Sequence, residues 1–243
     1  MTGIAITVRD LKKKLKANQA LDGASLSFSA GRIHGLIGPD GAGKTTLLRH
    51  LVGLLKADSG EIRYERDGQP AAFGDVRPDM AYMPQQQSLY PDLSISEHLD
   101  FFRDLYRIPM DVYRTRRAEL LHLTRLEPFQ SRAAGKLSGG MYKKLGLMCA
   151  LLQSPTTLFL DEPTNGVDPI SRREFWDLIY RLAESHILIV VATAYMDEAE
   201  RCTEVHLLDA GKCIAEGEPR AVLKQEGVAD FEELFLKREK RAA

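Results

Sequence analysis

The sequence is short of cysteine and tryptophan, carries almost no net charge, and has no long apolar run. Cys149, Cys202 and Cys213 are the only cysteines in 243 residues. Their spacing matches no metal motif, and three are too few for a disulfide framework. They read as small apolar fillers in a reducing compartment. Lysine and arginine total 33 against 34 aspartates and glutamates, a formal net charge of −1. So even a balance makes no general case for direct nucleic-acid binding. The basic runs Lys12-Lys13-Lys14 and Lys237-Arg238-Glu239-Lys240-Arg241 are local and expected to be solvated faces. No apolar stretch approaches the ~20 residues of a membrane span. The most apolar one, 187–193, is short and β-branched, as a buried strand is. No secretory pattern opens the sequence, and no internal repeat is found. The expectation is a cytoplasmic protein whose contact with a membrane runs through a partner.

One stretch organises what is present. Gly38-Pro39-Asp40-Gly41-Ala42-Gly43-Lys44-Thr45-Thr46 fits the phosphate-binding pattern G-x-x-x-x-G-K-[ST] from Gly38 to Thr45. Glycines let backbone N–H groups surround a phosphate where a Cβ would block the approach. Lys44 supplies a mobile charge for the β- and γ-phosphates, and the Thr45 hydroxyl can ligate Mg²⁺. The apolar run before the loop predicts a strand over 32–37. The leucines after it, at helical spacing, predict a helix over 43–55 whose positive end faces the anion. A bare glycine turn with a stray lysine would lack this strand–loop–helix order.

Alternation with period two predicts antiparallel strands over 4–8 and 24–28, joined by a strand over 61–64 and an Asp67-Gly68 hairpin turn. A further strand is expected over 80–83. Ser94-Ile95-Ser96-Glu97 is a capping box. It opens a helical block over about 86–154, with helices near 94–109, 111–126 and 140–153. Leu99, Phe102 and Tyr106 are its first core candidates, with Pro109 as the stop. In the third helix, Leu145, Met148, Cys149 and Leu152 share one face. Strands near 157–160, 187–192 and 205–208 then alternate with helices over 171–183 and 196–202, which implies a parallel sheet. A last strand near 213–215 and a short helix follow, and from 228 the chain reads as a peripheral helix or linker.

Thr157-Leu158-Phe159-Leu160-Asp161-Glu162 is an apolar strand ending in two carboxylates. At the carboxyl end of a parallel strand they would face the crevice of the glycine loop. Asp161 would hold Mg²⁺ through water opposite Thr45, and Glu162 is placed to polarise an attacking water.

With Leu137-Ser138-Gly139-Gly140-Met141 just before that strand, the chain resembles the nucleotide-binding domain of ATP-binding-cassette transporters over residues 4–223. It looks most like bacterial ABC-2-type exporters. The resemblance implies an α/β P-loop NTPase (RecA-like) fold: a mainly parallel core sheet, an antiparallel β-subdomain and an inserted helical subdomain. The cassette would span 1–227, with 228–243 a charged C-terminal helix or linker. It implies ATP and Mg²⁺ as cofactors, with nucleotide contacts from residues 38–46, Gln85, Ser138, Gly139, Gly140 and Asp161. Thr45, Gln85 and Asp161 would serve the metal and Glu162 the catalysis. Ser138 would act across a dimer on the partner's γ-phosphate, and Asp168 would lie at the seam. The implied partners are a transmembrane permease and a second nucleotide-binding domain, either a homodimer or a tandem cassette. The implied location is the inner face of the cell membrane.

Three positions depart from the family pattern. Met141 replaces the usual glutamine, and Leu15 stands where an aromatic ring often stacks on adenine. Ala194 replaces the switch histidine. The expected activity is therefore a slowed ATPase powering export, either alone or as the degenerate first cassette of a tandem protein. The alternatives are a catalytically weak regulatory cassette and a ribosome-associated ATPase.

Overall fold

The computed structural model describes residues 3–86 and 89–242, with side chains through Arg238. The solvation expected of Lys240 and Arg241 lies outside the described side chains. Two sheets organise the chain. Strands β1 (Ile4–Leu15), β2 (Asn18–Phe28), β4 (Ser59–Arg66) and β5 (Gln69–Ala71) form an antiparallel sheet in the order β2-β1-β4-β5. The second sheet contains β3 (Ile33–Ile37), β6 (Met80–Met83), β7 (Thr157–Asp161), β8 (Leu188–Thr193), β9 (Glu204–Asp209) and β10 (Lys212–Gly217). Its order is β10-β9-β3-β8-β7-β6, parallel except for β10. The helices are α1 (Lys44–Leu51), α2 (Phe73–Val76), α3 (Ile95–Tyr106), α4 (Met110–Thr124), α5 (Gly139–Leu151), α6 (Pro169–Ala183), α7 (Pro219–Glu226) and α8 (Phe231–Ala242).

The parallel strands are buried on both faces, so their apolar residues alternate between two cores. Leu36, Phe159, Leu188, Val190 and Ala192 join α1 and the antiparallel sheet. Ile37, Leu158, Leu160, Ile189 and Val191 face the opposite way, into the core that α3–α6 share. The helical block between β6 and β7 therefore shares its hydrophobic core with the parallel sheet.

Several local readings need correction. Strands β1 and β2 run well past the alternating segments, and Lys12-Lys13-Lys14 lies inside β1. Lys13 is held there by Lys56 O and Asp58 Oδ1, each 2.8 Å from its Nζ. Helix α1 stops at Leu51, four residues short of the reading. Gly53 takes φ +72°, Leu54 and Leu55 both donate to Arg49 O, and Leu54 turns out to solvent. Arg107, in the left-handed region, ends α3, whereas Pro109 caps the start of α4. Residues 196–201 form a 3-10 turn instead of an α-helix. Helix α5 is buried around most of its circumference, not on one face.

The C-terminal segment also docks more firmly than a linker would. Phe231 and Leu234 of α8 are each 1% exposed and sit in the shared core. Truncating a buried phenylalanine to alanine costs roughly 3–5 kcal/mol. Phe231→Ala is expected to lower unfolding stability by about that amount in equilibrium urea titrations. A loss below ~1 kcal/mol would show that α8 is not part of the cooperative unit.

Candidate nucleotide site

Register places the site. Ile37 pairs with Thr193, and Asp161 with Ala192, so β3, β8 and β7 end at one level. The residues that follow them, Gly38, Ala194 and Glu162, therefore line one edge. Gly38 N–H donates to Thr193 O at 3.4 Å, and a Cβ on Gly38 would lie 2.2 Å from Leu208 O. Gly43 takes φ +104°, and a Cβ there would meet Ala20 O at 2.5 Å. Both positions require glycine.

Helix α1 begins with no side-chain cap and no acid in its first turn. Its first N–H to reach a carbonyl four residues back is that of Leu47, at 2.9 Å from Gly43 O. The preceding donors, through Thr46, have no intrahelical partner and carry the positive end of the helix dipole. Residues 40–46 line a crevice of about 330 Å³ together with Leu15, Gln85 and Glu162. An uncapped helix start in a glycine cradle fits an oxyanion.

Lys44 is 5% exposed. Its Nζ donates to Gly38 O (2.7 Å) and Pro39 O (3.1 Å) and pairs with Glu162 Oε1 at 3.2 Å. The Thr45 hydroxyl donates to Asp161 Oδ1, and the Tyr82 hydroxyl to Asp161 Oδ2, each at 2.9 Å. Asp161 is fully buried. Thr45 and Asp161 thus offer adjacent hard oxygens of the kind Mg²⁺ takes, so the residues present fit that ion. Burial and the Asp161 charge push the Tyr82 phenol up to about 12.

Glu162 sits in the left-handed region at φ +48°, uncommon for a residue with a side chain. Its N–H donates to Ala192 O, and Oε2 accepts from Ala194 N–H at 3.4 Å. Burial raises its carboxyl above the usual range, and Lys44 opposes the rise. Ala194 itself presents a methyl group.

The remaining expected residues divide. Gln85 lines the crevice. Ser138, Gly139 and Gly140 do not; they open α5, where Ser138 accepts from Met141 N–H. A Cβ on Gly140 would lie 2.5 Å from Ser171 Oγ, so α5 starts against α6. Asp168 caps α6, accepting from Ile170 and Ser171 N–H.

Sequence reasoning missed three contributors. Tyr82 carried no signal beyond its place in a short strand. Lys143 donates to Gln85 O (3.1 Å) and Glu162 O (3.4 Å), bridging two walls of the site from α5. Glu198, fully buried, accepts from Thr164, Arg172 and Trp176. It ties the loop after Glu162 to α6.

Residues 21–165, more than half the chain, match the family described as ABC transporter. The chain belongs to that family. Its fold is the P-loop NTPase fold of ABC cassettes, and it is an ATP-binding component of the ABC type. It is 44% identical over 224 residues to the Escherichia coli protein named "Probable multidrug ABC transporter ATP-binding protein YbhF", covering 91% of this chain and 39% of that protein. The chain therefore spans about two fifths of that relative's length. It is 35% identical over 231 residues to the Nod factor export ATP-binding protein I of Ralstonia nicotianae, covering 95% of this chain and 72% of that one. A solved ATP binding subunit of an ABC transporter superposes with a TM-score of 0.81. Its identity is 30%, over 96% of this chain and 98% of the other.

The raised Glu162 carboxyl gives the ABC cassette a pH signature. A carboxyl whose folded value lies above its unfolded value of about 4.3 costs no stability below that value and most above the folded value. Relative to wild type, Glu162→Gln should gain stability as pH rises from 4 to 7. Urea unfolding at several pH values reads this, and a stability difference independent of pH would contradict the assigned environment.

Proposed function

We propose that this chain hydrolyses ATP to power export through a separate ABC-2-type membrane domain, as a cassette of residues 1–227 carrying a helical subdomain over about 86–154. The observation that carries the reading is the convergence of Lys44, Thr45, Asp161 and Glu162 on one crevice. The glycine loop, residues 38–46, receives the triphosphate on its backbone N–H groups. Lys44 exchanges the carbonyls of Gly38 and Pro39 for phosphate oxygens. Its departure from Glu162 removes the charge that opposes the raised carboxyl, making Glu162 a better proton acceptor for an attacking water. Thr45, Asp161 and Gln85 would hold Mg²⁺, which would supply neutralisation of the phosphate charge. Leu15, at the crevice rim, offers the base an aliphatic contact without ring stacking.

Ser138, Gly139 and Gly140 act on a second cassette in this reading. Ser138 is exposed and stands outside its own crevice, and the α5 helix start it opens faces outward to accept a partner's phosphate. The pair is a homodimer or a tandem of two cassettes. A permease completes the assembly at the inner face of the membrane, and no direct nucleic-acid contact is part of the reading. Export is supported by the name of the Ralstonia relative. Assembly with further transporter subunits is supported by cbiO1 of Clostridium perfringens, described as part of the ABC transporter complex cbiONQ. It is 26% identical with a TM-score of 0.79, over 90% of each chain. No helix among the described residues is long and apolar enough to cross a membrane.

Ala194 favours a second reading, a cassette that binds ATP but turns it over slowly, as the degenerate member of a tandem would. Loss of one transition-state donor typically costs ~10²–10³ in rate. Ala194→His is expected to raise ATPase turnover toward that range and leave ATP affinity nearly unchanged, because the donor acts mainly in the transition state. An unchanged rate in a folded variant would sink the slowed-site reading and point to the partner cassette as the place where ATP is hydrolysed.

The binding assignment has its own test. Lys44→Ala should weaken Mg-ATP binding sharply in a fluorescent-nucleotide titration. Equal affinity for wild type and variant would remove the phosphate loop from the reading.

A further inference from the structure

A second cluster of ligand-bearing side chains lies toward the amino end of β3, away from the crevice. His34 is the second residue of β3, and Glu204 and His206 lie on β9, with Glu204 opposite His34 in register. His34 is fully buried and His206 is 2% exposed. Nδ1 of His34 lies 3.0 Å from Nε2 of His206 and 3.4 Å from Oε2 of Glu204. All three ligand atoms fall within 4.8 Å of one another. We infer that His34, His206 and Glu204 form a site for a divalent transition metal, with Zn²⁺ the ion the donor set suits best.

Two imidazoles and a carboxylate are ligands that zinc takes, and tetrahedral bonds of about 2.0–2.1 Å place neighbouring ligand atoms ~3.3 Å apart. The two separations from His34 Nδ1, 3.0 and 3.4 Å, lie within tenths of an ångström of that value. The outer contacts point the same way. A metal-bound histidine nearly always donates its other ring N–H to a carboxylate or a backbone carbonyl. His206 Nδ1 lies 3.2 Å from Glu216 Oε2, and His34 Nε2 lies 3.1 Å from Ser29 O. Arg32 pairs with Glu204 Oε1 and leaves Oε2 directed at His34. A cavity of about 280 Å³, lined by Ser27, Glu204, His206, Glu216 and Gly217, gives entry and room for a water as fourth ligand.

Metal-free, the same groups form a hydrogen-bond chain. Ser29 N–H donates to His34 Nε2 at 3.1 Å, with Ser29 Oγ at 3.3 Å. The proton then resides on His34 Nδ1, facing His206 Nε2. With zinc on Nδ1 the proton would sit on Nε2, where Ser29 O accepts it in place of the Ser29 N–H contact, which is given up; the ring stays neutral. Cys213 lies near His206 and Glu216, and its thiol donates to Ala215 O at 3.6 Å. The metal would clamp β3 to β9, with Glu216 of β10 as an outer support. It would act as a structural clip beneath the strand that carries the glycine loop, not as part of the hydrolysis.

The test uses the full chain, stripped with EDTA, exchanged into excess Mg²⁺ to saturate the Thr45–Asp161 site, and titrated with ZnCl2. We expect one zinc per chain by atomic emission after desalting, and a rise in melting temperature on binding. Glu204→Gln and Glu216→Gln should each weaken zinc binding about tenfold or more in competition with a chromogenic chelator. His122→Ala, a change at an exposed histidine, should leave binding intact. The two glutamate side chains are partly exposed, so their variants keep the test valid if His206→Ala fails to fold. Failure to retain zinc, or equal retention by wild type and both glutamate variants, would overturn the assignment.

Discussion

Parallel pairing at the centre of the sheet is the constraint on which the site depends. Once Ile37 lies beside Thr193 and Asp161 beside Ala192, the three following residues have nowhere else to go. A slip of one residue in β7 would turn Asp161 away from Thr45 and send Phe159 into the wrong core. The two-sided burial of these strands penalises such a slip on both faces at once, with Leu158 and Leu160 packed one way and Phe159 the other. Packing of ordinary apolar residues thus fixes the positions of the charged ones.

Those charged groups are costly to bury, and the structure offsets the cost by pairing them. Asp161 has no solvent exposure, yet both of its oxygens accept hydroxyl hydrogen bonds. Lys44 and Glu162 are each 5% exposed and meet at 3.2 Å. A pair of this kind contributes little net stability, because desolvation of both ions cancels most of their attraction. Its consequence is positional instead: each partner holds the other in the crevice. The left-handed backbone at Glu162 belongs to the same arrangement, since it is there that the chain leaves β7 and swings the carboxylate under the loop.

Glu198 extends this logic beyond the crevice. Its Oε1 gathers donors from Thr164, Arg172 and the indole of Trp176, while Arg172 also lies over the Tyr195 ring at 4.2 Å. The segment after Glu162, the start of α6 and the turn after Ala194 are thereby joined through one buried carboxylate. At the same end of α6, Asp168 caps the helix and Gly140 of α5 packs on Ser171.

By itself the sequence determined the glycine loop before α1, the strand ending in Asp161-Glu162, the capping box at Ser94 and the α/β alternation. Each of these is written in residues close together, through glycine conformation, apolar periodicity or a local cap. Local signals failed where a distant contact decided the outcome. The end of α1 depends on Gly53 lying under the Phe73 ring. Docking of α8 depends on Phe231 reaching a core built by α3–α6, and the full length of β1 depends on two flanking strands. The same holds at the site: Tyr82 and Lys143 converge on Asp161 and Glu162 from 79 and 19 residues away. No periodicity encodes such separations, because they arise only when strands pair in register and the helices close over them.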